Sequence, residues 1–250
     1  GEKMIQDGMF DDFKIDEVYA LHNWPELPLG TFGVNSGPMM AAVDEFDITV
    51  KGKGGHAASP HLAIDPVVIS AQVISAVQTI ISRSTDPVDK ALISITKINA
   101  GTAYNVIDDQ VKMGGTIRTF RRETRAYIEK RLNELCKGIA DAHGAEIKIE
   151  FDLVNKYPPT INSKEETKFA ANVAKDLVGD DKVITDIDPS MGGEDFSYLL
   201  EKKPGSYLYL GQGDAEHSAH LHTTKYDFND NLLPIGVNFW VDLVQKYFSK

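Results

Sequence analysis

Along residues 44–153 the hydrophobic positions switch in order between a period of two and a period of about 3.6, the signature of alternating strands and helices. Phe46, Ile48 and Val50 alternate with polar neighbours and predict a strand. Behind Asp65 and Pro66, an N-cap followed by a first-turn proline, Ile64, Val67, Val68, Ala71, Ile74, Val77 and Ile81 step by three and four and predict an amphipathic helix. Ile93 with Ile95, and then Val111, Met113 and Ile117, predict two further strands. The loop between them holds Asn99, Gly101, Asn105, Asp108 and Asp109. Ile128, Leu132, Leu135, Ile139 and Ala142 predict a second helix, closed by Gly144 in a left-handed conformation. Ile147, Ile149, Phe151 and Leu153 predict the last strand.

The order β-α-β-β-α-β predicts a ferredoxin-like insert, with two helices on one face of a four-stranded antiparallel sheet. The flanking residues, 1–43 and 154–250, read as two parts of a second, α/β domain. Residues 2–9 suit a helix, and residues 18–21 suit a strand running into His22, while proline and glycine dominate residues 25–38. Ser163 and Glu166 have capping-box spacing ahead of Phe169, Ala170, Val173, Ala174 and Leu177, with Gly179 at the end. Short strands at residues 183–185 and 207–210 and a helix over residues 234–248 complete the pattern.

Composition narrows the function classes. Of 250 residues, 42% are hydrophobic and 25% charged, which fits a chain with a buried core. The net charge of −11 disfavours polyanionic partners, so nucleic acid is not expected. Apolar stretches fall short of the roughly 18 to 20 residues of a membrane span, and no export signal opens the chain, so no membrane role is expected. Cys136 is the single cysteine and has no internal partner, which points to a reducing, cytoplasmic compartment. The chain begins with Gly1, which is read as a truncation point in a longer protein.

Four short segments carry candidate chemistry. His22 follows a predicted strand in Ala20-Leu21-His22-Asn23-Trp24-Pro25; alone it reads more readily as a hydrogen-bonded structural histidine than as a functional one. The segment Gly52-Lys53-Gly54-Gly55-His56 could cradle an anion, but it lacks the spacing of a nucleotide loop. Asn105 offers an amide and Arg118 a planar fork suited to a carboxylate, unless Arg118 only makes a surface ion pair. Finally, Met191-Gly192-Gly193-Glu194-Asp195-Phe196 precedes His220-Leu221-His222. On an extended strand His220 and His222 would point the same way and could share a metal; on any other backbone they need not.

Taken in order, Leu-His-Asn-Trp-Pro, Gly-Lys-Gly-Gly-His-Ala-Ala-Ser-Pro-His, Gly-Thr-Ala-Tyr-Asn-Val-Ile, Gly-Gly-Thr-Ile-Arg, Met-Gly-Gly-Glu-Asp-Phe and Leu-His-Thr-Thr-Lys-Tyr-Asp-Phe-Asn-Asp resemble the di-metal aminoacylase and amidohydrolase family. The branch it resembles is that of hippurate hydrolase, N-acetyldiaminopimelate deacetylase and the auxin-conjugate hydrolases. The resemblance implies a zinc-peptidase-like α/β catalytic domain interrupted by a ferredoxin-like lid at residues 44–153, and a homodimer formed through that lid. It implies two divalent ions, zinc or manganese, and a small N-acyl amino acid or peptide-like substrate. It makes His22 and His222 metal ligands, and gives His56 a catalytic and substrate-polarising role, commonly in the partner subunit's site. Asn105, Arg118 and Gly193 would bind substrate, and Glu194 would support the site as a catalytic residue.

The resemblance also implies a deficit. The family's cysteine-containing histidine motif and paired glutamates lie upstream of the segment present here, so about two of the five or so ligands of such a centre remain. The chain alone is therefore expected to hydrolyse little or nothing. Two other readings stay open: a non-catalytic dimerisation or binding module, and a carboxypeptidase or dipeptidase of the same family. His22 argues against the latter, because those branches often place an acidic ligand there.

Overall fold

The computed structural model describes residues 1–152 and 156–249. Where the periodicity predicts one opening helix there are two, α1 (Glu2–Gln6) and α2 (Met9–Asp12), because Gly8 between them takes φ 97°. Strand β1 (Val18–Pro28) runs well past His22, which lies inside it rather than at its end. Pro25 and Pro28 lack an N–H; β1 is an edge strand, and its register with β12 shifts between Trp24 and Pro28, where they fall. Strands β2 (Phe32–Gly33) and β3 (Gly37–Met40) follow, then β4 (Ala42–Lys51) and the two-residue β5 (Gly55–His56).

Helix α3 (Pro66–Thr79) starts where its cap predicts, with Asp65 Oδ1 accepting from the Val67 N–H at 2.8 Å; Ile64 stays outside it. Then come β6 (Ala91–Asn99), β7 (Val106–Ile107), β8 (Gln110–Thr119), α4 (Arg122–His143) and β9 (Glu146–Phe151). Gly144 closes α4 at φ 64°. The expected continuation of the last strand to Leu153 lies outside the described residues. The chain finishes with β10 (Thr160–Asn162), α5 (Lys164–Val178), β11 (Val183–Ile184), α6 (Ser197–Leu200), β12 (Gly205–Gly213) and α7 (Leu232–Tyr247). Ser163 is the N-cap of α5, but the capping box does not form: its hydroxyl accepts from the Gly205 N–H at 3.2 Å.

These elements fall into two units. The first comprises Gly1–Met40, Thr160–Ser190 and Glu194–Lys250. Its sheet has the order β1-β12-β2-β11, with β1 parallel to β12, β2 antiparallel to β12, and β11 parallel to β2. Strand alternation divides β12 between two cores. Leu208 and Leu210 pack with α5 and α7 through Ala170, Ala174 and Phe239. Tyr207 and Tyr209 pack on the opposite side with Met39, Phe196 and Leu199.

The second unit comprises Ala41–Pro159 and Met191–Gly193. Its sheet has the order β6-β8-β4-β9, antiparallel throughout. The chain order is β-α-β-β-α-β, and α3 and α4 cover one face. Ile69, Val73 and Val77 of α3 and Ile128, Leu132 and Cys136 of α4 are buried there, each large aliphatic side chain contributing roughly 1.5–3 kcal/mol. With the π turn at Ile80–Ser84, α3 gives a 19-residue helix of mean hydropathy 1.3, longer than the apolar stretches read from the sequence. Length and composition would allow a span, yet one side of this helix forms the core of its own unit.

Candidate functional site

In the first unit β1 sets His22 opposite Tyr209 of β12. The His22 Nδ1 lies 2.8 Å from the Asn23 carbonyl oxygen. A carbonyl only accepts, so Nδ1 carries a proton, and in the neutral tautomer this selects, Nε2 holds the lone pair a metal ion would use. The ring is bracketed by Trp24 and Tyr207, with centroids at 6.3 and 6.2 Å. The Tyr207 hydroxyl donates to Glu194 Oε2 at 2.8 Å, and Glu194 Oε1 accepts from the Phe196 N–H at 3.2 Å. Both Glu194 oxygens are thus engaged, and the residue braces Tyr207, which in turn touches His22. Burial first, and then the Glu194 carboxylate, push the Tyr207 hydroxyl far above its ordinary range, so it stays protonated as a donor. Beside His22 opens a cavity of about 330 Å³, lined mainly by apolar side chains including Leu21, Phe228, Val237 and Trp240.

His222 does not lie on a strand. Leu221 and His222 form a turn, and His222 has φ 59°, a left-handed conformation uncommon outside glycine. The alternation that would aim His220 and His222 the same way is therefore absent. His220 is engaged elsewhere, its Nδ1 lying 2.6 Å from Glu26 Oε1.

In the second unit β5 pairs with β7, opposing His56 to Val106, and the Ala57 N–H donates to the Asn105 carbonyl at 3.0 Å. His56 and Asn105 are thereby brought together, both exposed. Here the protonation is reversed: the Ala58 N–H donates to His56 Nδ1 at 3.0 Å. The ring proton must then sit on Nε2, which becomes a donor facing solvent. The glycine-rich loop does not cradle an external anion. Its Gly52 N–H donates to the Asp109 carbonyl, its Gly54 N–H to the Asp109 carboxylate at 2.8 Å, and its Lys53 N–H to the Ile64 carbonyl. Glycine is required because a Cβ at position 52 would sit 2.0 Å from the Ile64 oxygen.

Arg118 on β8 lies between Val43 of β4 and Leu92 of β6. Burial lowers its pKa while Glu45 and Asp44 oppose that shift; the guanidinium stays cationic. Among the described residues it makes no salt bridge, which leaves its fork open to a carboxylate. It lines a cavity of about 550 Å³ with Glu45, Asp47, Thr96, Lys97 and Thr116. Gly193 belongs to this unit, and a Cβ there would meet Val43 Cγ2 at 2.0 Å, so close packing by itself requires glycine.

The donors suit a divalent ion in kind, because His22 turns Nδ1 to the Asn23 carbonyl and keeps Nε2 for a metal ion. In number they are few: no group of three or more His, Cys, Asp or Glu able to hold a metal occurs among the described residues.

Comparison with known proteins places this fold in a class. The profile of peptidase family M20/M25/M40 matches residues 1–246, and the chain belongs to that family. It is 38% identical to a hippurate hydrolase of Campylobacter jejuni over 98% of the chain and 63% of that protein. It is 40% identical to an N-acetyldiaminopimelate deacetylase of Lactobacillus helveticus over 95% of the chain and 61% of that protein. Among solved structures, an aminohydrolase from methicillin-resistant Staphylococcus aureus superposes with a TM-score of 0.88 at 28% identity, covering 98% of this chain and 62% of that one. A Bacillus subtilis protein described as a dinuclear metal-binding peptidase of the M20 family gives 0.78 at 30% identity, over 97% of this chain and 59% of that one. The chain thus spans about three fifths of the length of these relatives.

Proposed function

We propose that the chain is the larger share of a metal-dependent amidohydrolase that cleaves the amide bond of N-acyl amino acids. The observation that carries this reading is the opposite protonation of two histidines, His22 with a free Nε2 lone pair and His56 with an Nε2–H. In this reading the first unit forms the zinc-peptidase-like catalytic part, and the second, which takes in Ala41–Pro159 rather than residues 44–153 alone and also Met191–Gly193, forms a ferredoxin-like lid through which a cytoplasmic homodimer assembles. The observed strand order and the two helices on one sheet face support the lid.

His22 and His222 would hold zinc or manganese ions, which supply Lewis acidity toward the amide carbonyl. Arg118 takes the substrate carboxylate through its two-pronged fork. Asn105 and the Gly193 backbone orient the amide, and Glu194 keeps Tyr207 against His22. As the carbonyl carbon is attacked, its oxygen gains negative charge, and His56 Nε2–H donates to it. Missing ligands are expected from chain beyond these residues, and the exposed apolar face of α7 supports packing against more protein: Leu233, Val237, Val241 and Val244 recur at helical spacing and are about half exposed or more.

A non-catalytic binding module is the second reading, favoured by the lack of a three-ligand group among the described residues. Zinc titration of the ¹⁵N-histidine-labelled chain separates the two. The hydrolase reading expects the His22 and His222 ring signals to respond while His56 keeps its Nε2–H. It also expects negligible turnover of N-acetyl amino acids by the chain alone. No histidine responding, or His56 alone responding, would favour the module.

A further inference from the structure

The loop over residues 214–229 carries His222 and is tied to β1 on both sides of that residue. Before it, His220 Nδ1–H donates to Glu26 Oε1 at 2.6 Å. After it, the Tyr226 hydroxyl accepts from Asn23 Nδ2 at 2.7 Å and donates toward Gln212 Oε1 at 3.3 Å. Asn23 Nδ2 also donates to Gln212 Oε1 at 2.8 Å. Gln212, fully buried on β12, donates to the Asp227 carbonyl at 3.1 Å. The buried Asn229 side chain closes the circuit, donating to the Gln212 carbonyl at 3.0 Å and to Asp214 Oδ2 at 2.8 Å.

The placement is specific. Asn23 directly follows His22, and Glu26 lies four residues along the same strand. A buried polar network whose members are satisfied selects one arrangement over its neighbours. Gln212 and Asn229 are its buried members, Asn23 and Tyr226 are half-buried, and the Glu26–His220 tie is exposed. Between the two ties stands His222, a non-glycine residue in left-handed backbone, a conformation that lasts only where the surroundings impose it.

We propose that Asn23, Gln212, Tyr226 and the Glu26–His220 pair are positioning residues: they fix the loop bearing His222 on the strand bearing His22 before any ion binds. The metal role of the two histidines rests on the function proposed above; the ordering of the loop does not.

Amide hydrogen exchange and zinc affinity of the 250-residue chain, the latter by competition with a chromogenic chelator, test this in three variants. Glu26→Ala and Tyr226→Phe each remove a tie without removing a candidate ligand. In Glu26→Gln the amide oxygen can still accept from His220. The expected result is exchange at least tenfold faster across the loop in the first two variants, unchanged exchange in β12, and about tenfold weaker zinc binding, with Glu26→Gln close to the parent. Parent-like loop exchange in both variants, or exchange rising through the whole unit, overturns the proposal. If His22→Ala and His222→Ala leave zinc affinity unaltered, the metal reading fails, and loop exchange still decides whether these residues position the loop.

Discussion

His22 and His56 carry the same side chain, and a single backbone group beside each decides what it can do. A carbonyl at Nδ1 leaves His22 a lone pair at Nε2, whereas an N–H at Nδ1 leaves His56 a donor there. In a full-length enzyme, His56→Ala is expected to lower kcat roughly 10²–10³-fold with little change in KM, as for other losses of an oxyanion donor; a steady-state assay checks this. Burial raises the Cys136 thiol to about 11. A raised acid keeps its proton in the folded state, so its contribution is full below the ordinary thiol range and is lost as pH rises toward that value. At pH 8 a thiol reagent is expected to leave native Cys136 unlabelled and to label it fully after unfolding. The sequence shows where these residues stand, because a histidine beside a strand or glycine run is visible as such. Their protonation is not legible, since it depends on the direction of one carbonyl or amide. The Gln212 and Tyr226 network was equally hidden, its members lying apart in sequence and joined only when β1 and β12 pair.

At the scale of elements, local signals succeeded where the local physics was free to act. Asp65-Pro66 starts α3 and Gly144 ends α4 because each cap needs only its own neighbours. Replacing Asp65 with Ala is expected to cost about 1 kcal/mol, read as a lower urea midpoint with an unchanged m-value, and Asp65→Asn should recover most of it. Signals failed where tertiary structure intervened. Ser163 has a capping-box sequence, but β12 places the Gly205 amide on its hydroxyl. The first strand reads as residues 18–21, yet β1 continues to Pro28 at the sheet edge. The glycine run before His56 reads as an anion loop, but Asp109 is the anion it holds.

At the scale of the whole molecule, the family is established and the chain spans about three fifths of its relatives. The β-α-β-β-α-β order was legible because it lies within one continuous stretch of chain. The first unit was less so, since its sheet joins strands that come before the second unit in the chain to strands that come after it. Among the described residues α7 keeps an exposed apolar stripe, and β1 pairs on one side only. The central claim is that these residues supply the substrate-holding and part of the metal-holding machinery of an amidohydrolase. Its most direct test is turnover of N-acetyl amino acids, with zinc or manganese, by this chain fused to the part of the Lactobacillus helveticus deacetylase that it does not match. The account predicts hydrolysis by the fusion and none by the chain alone, with Arg118→Ala raising KM at least tenfold. A folded, metal-loaded fusion that hydrolyses no N-acyl amino acid, or one indifferent to loss of Arg118, would contradict it.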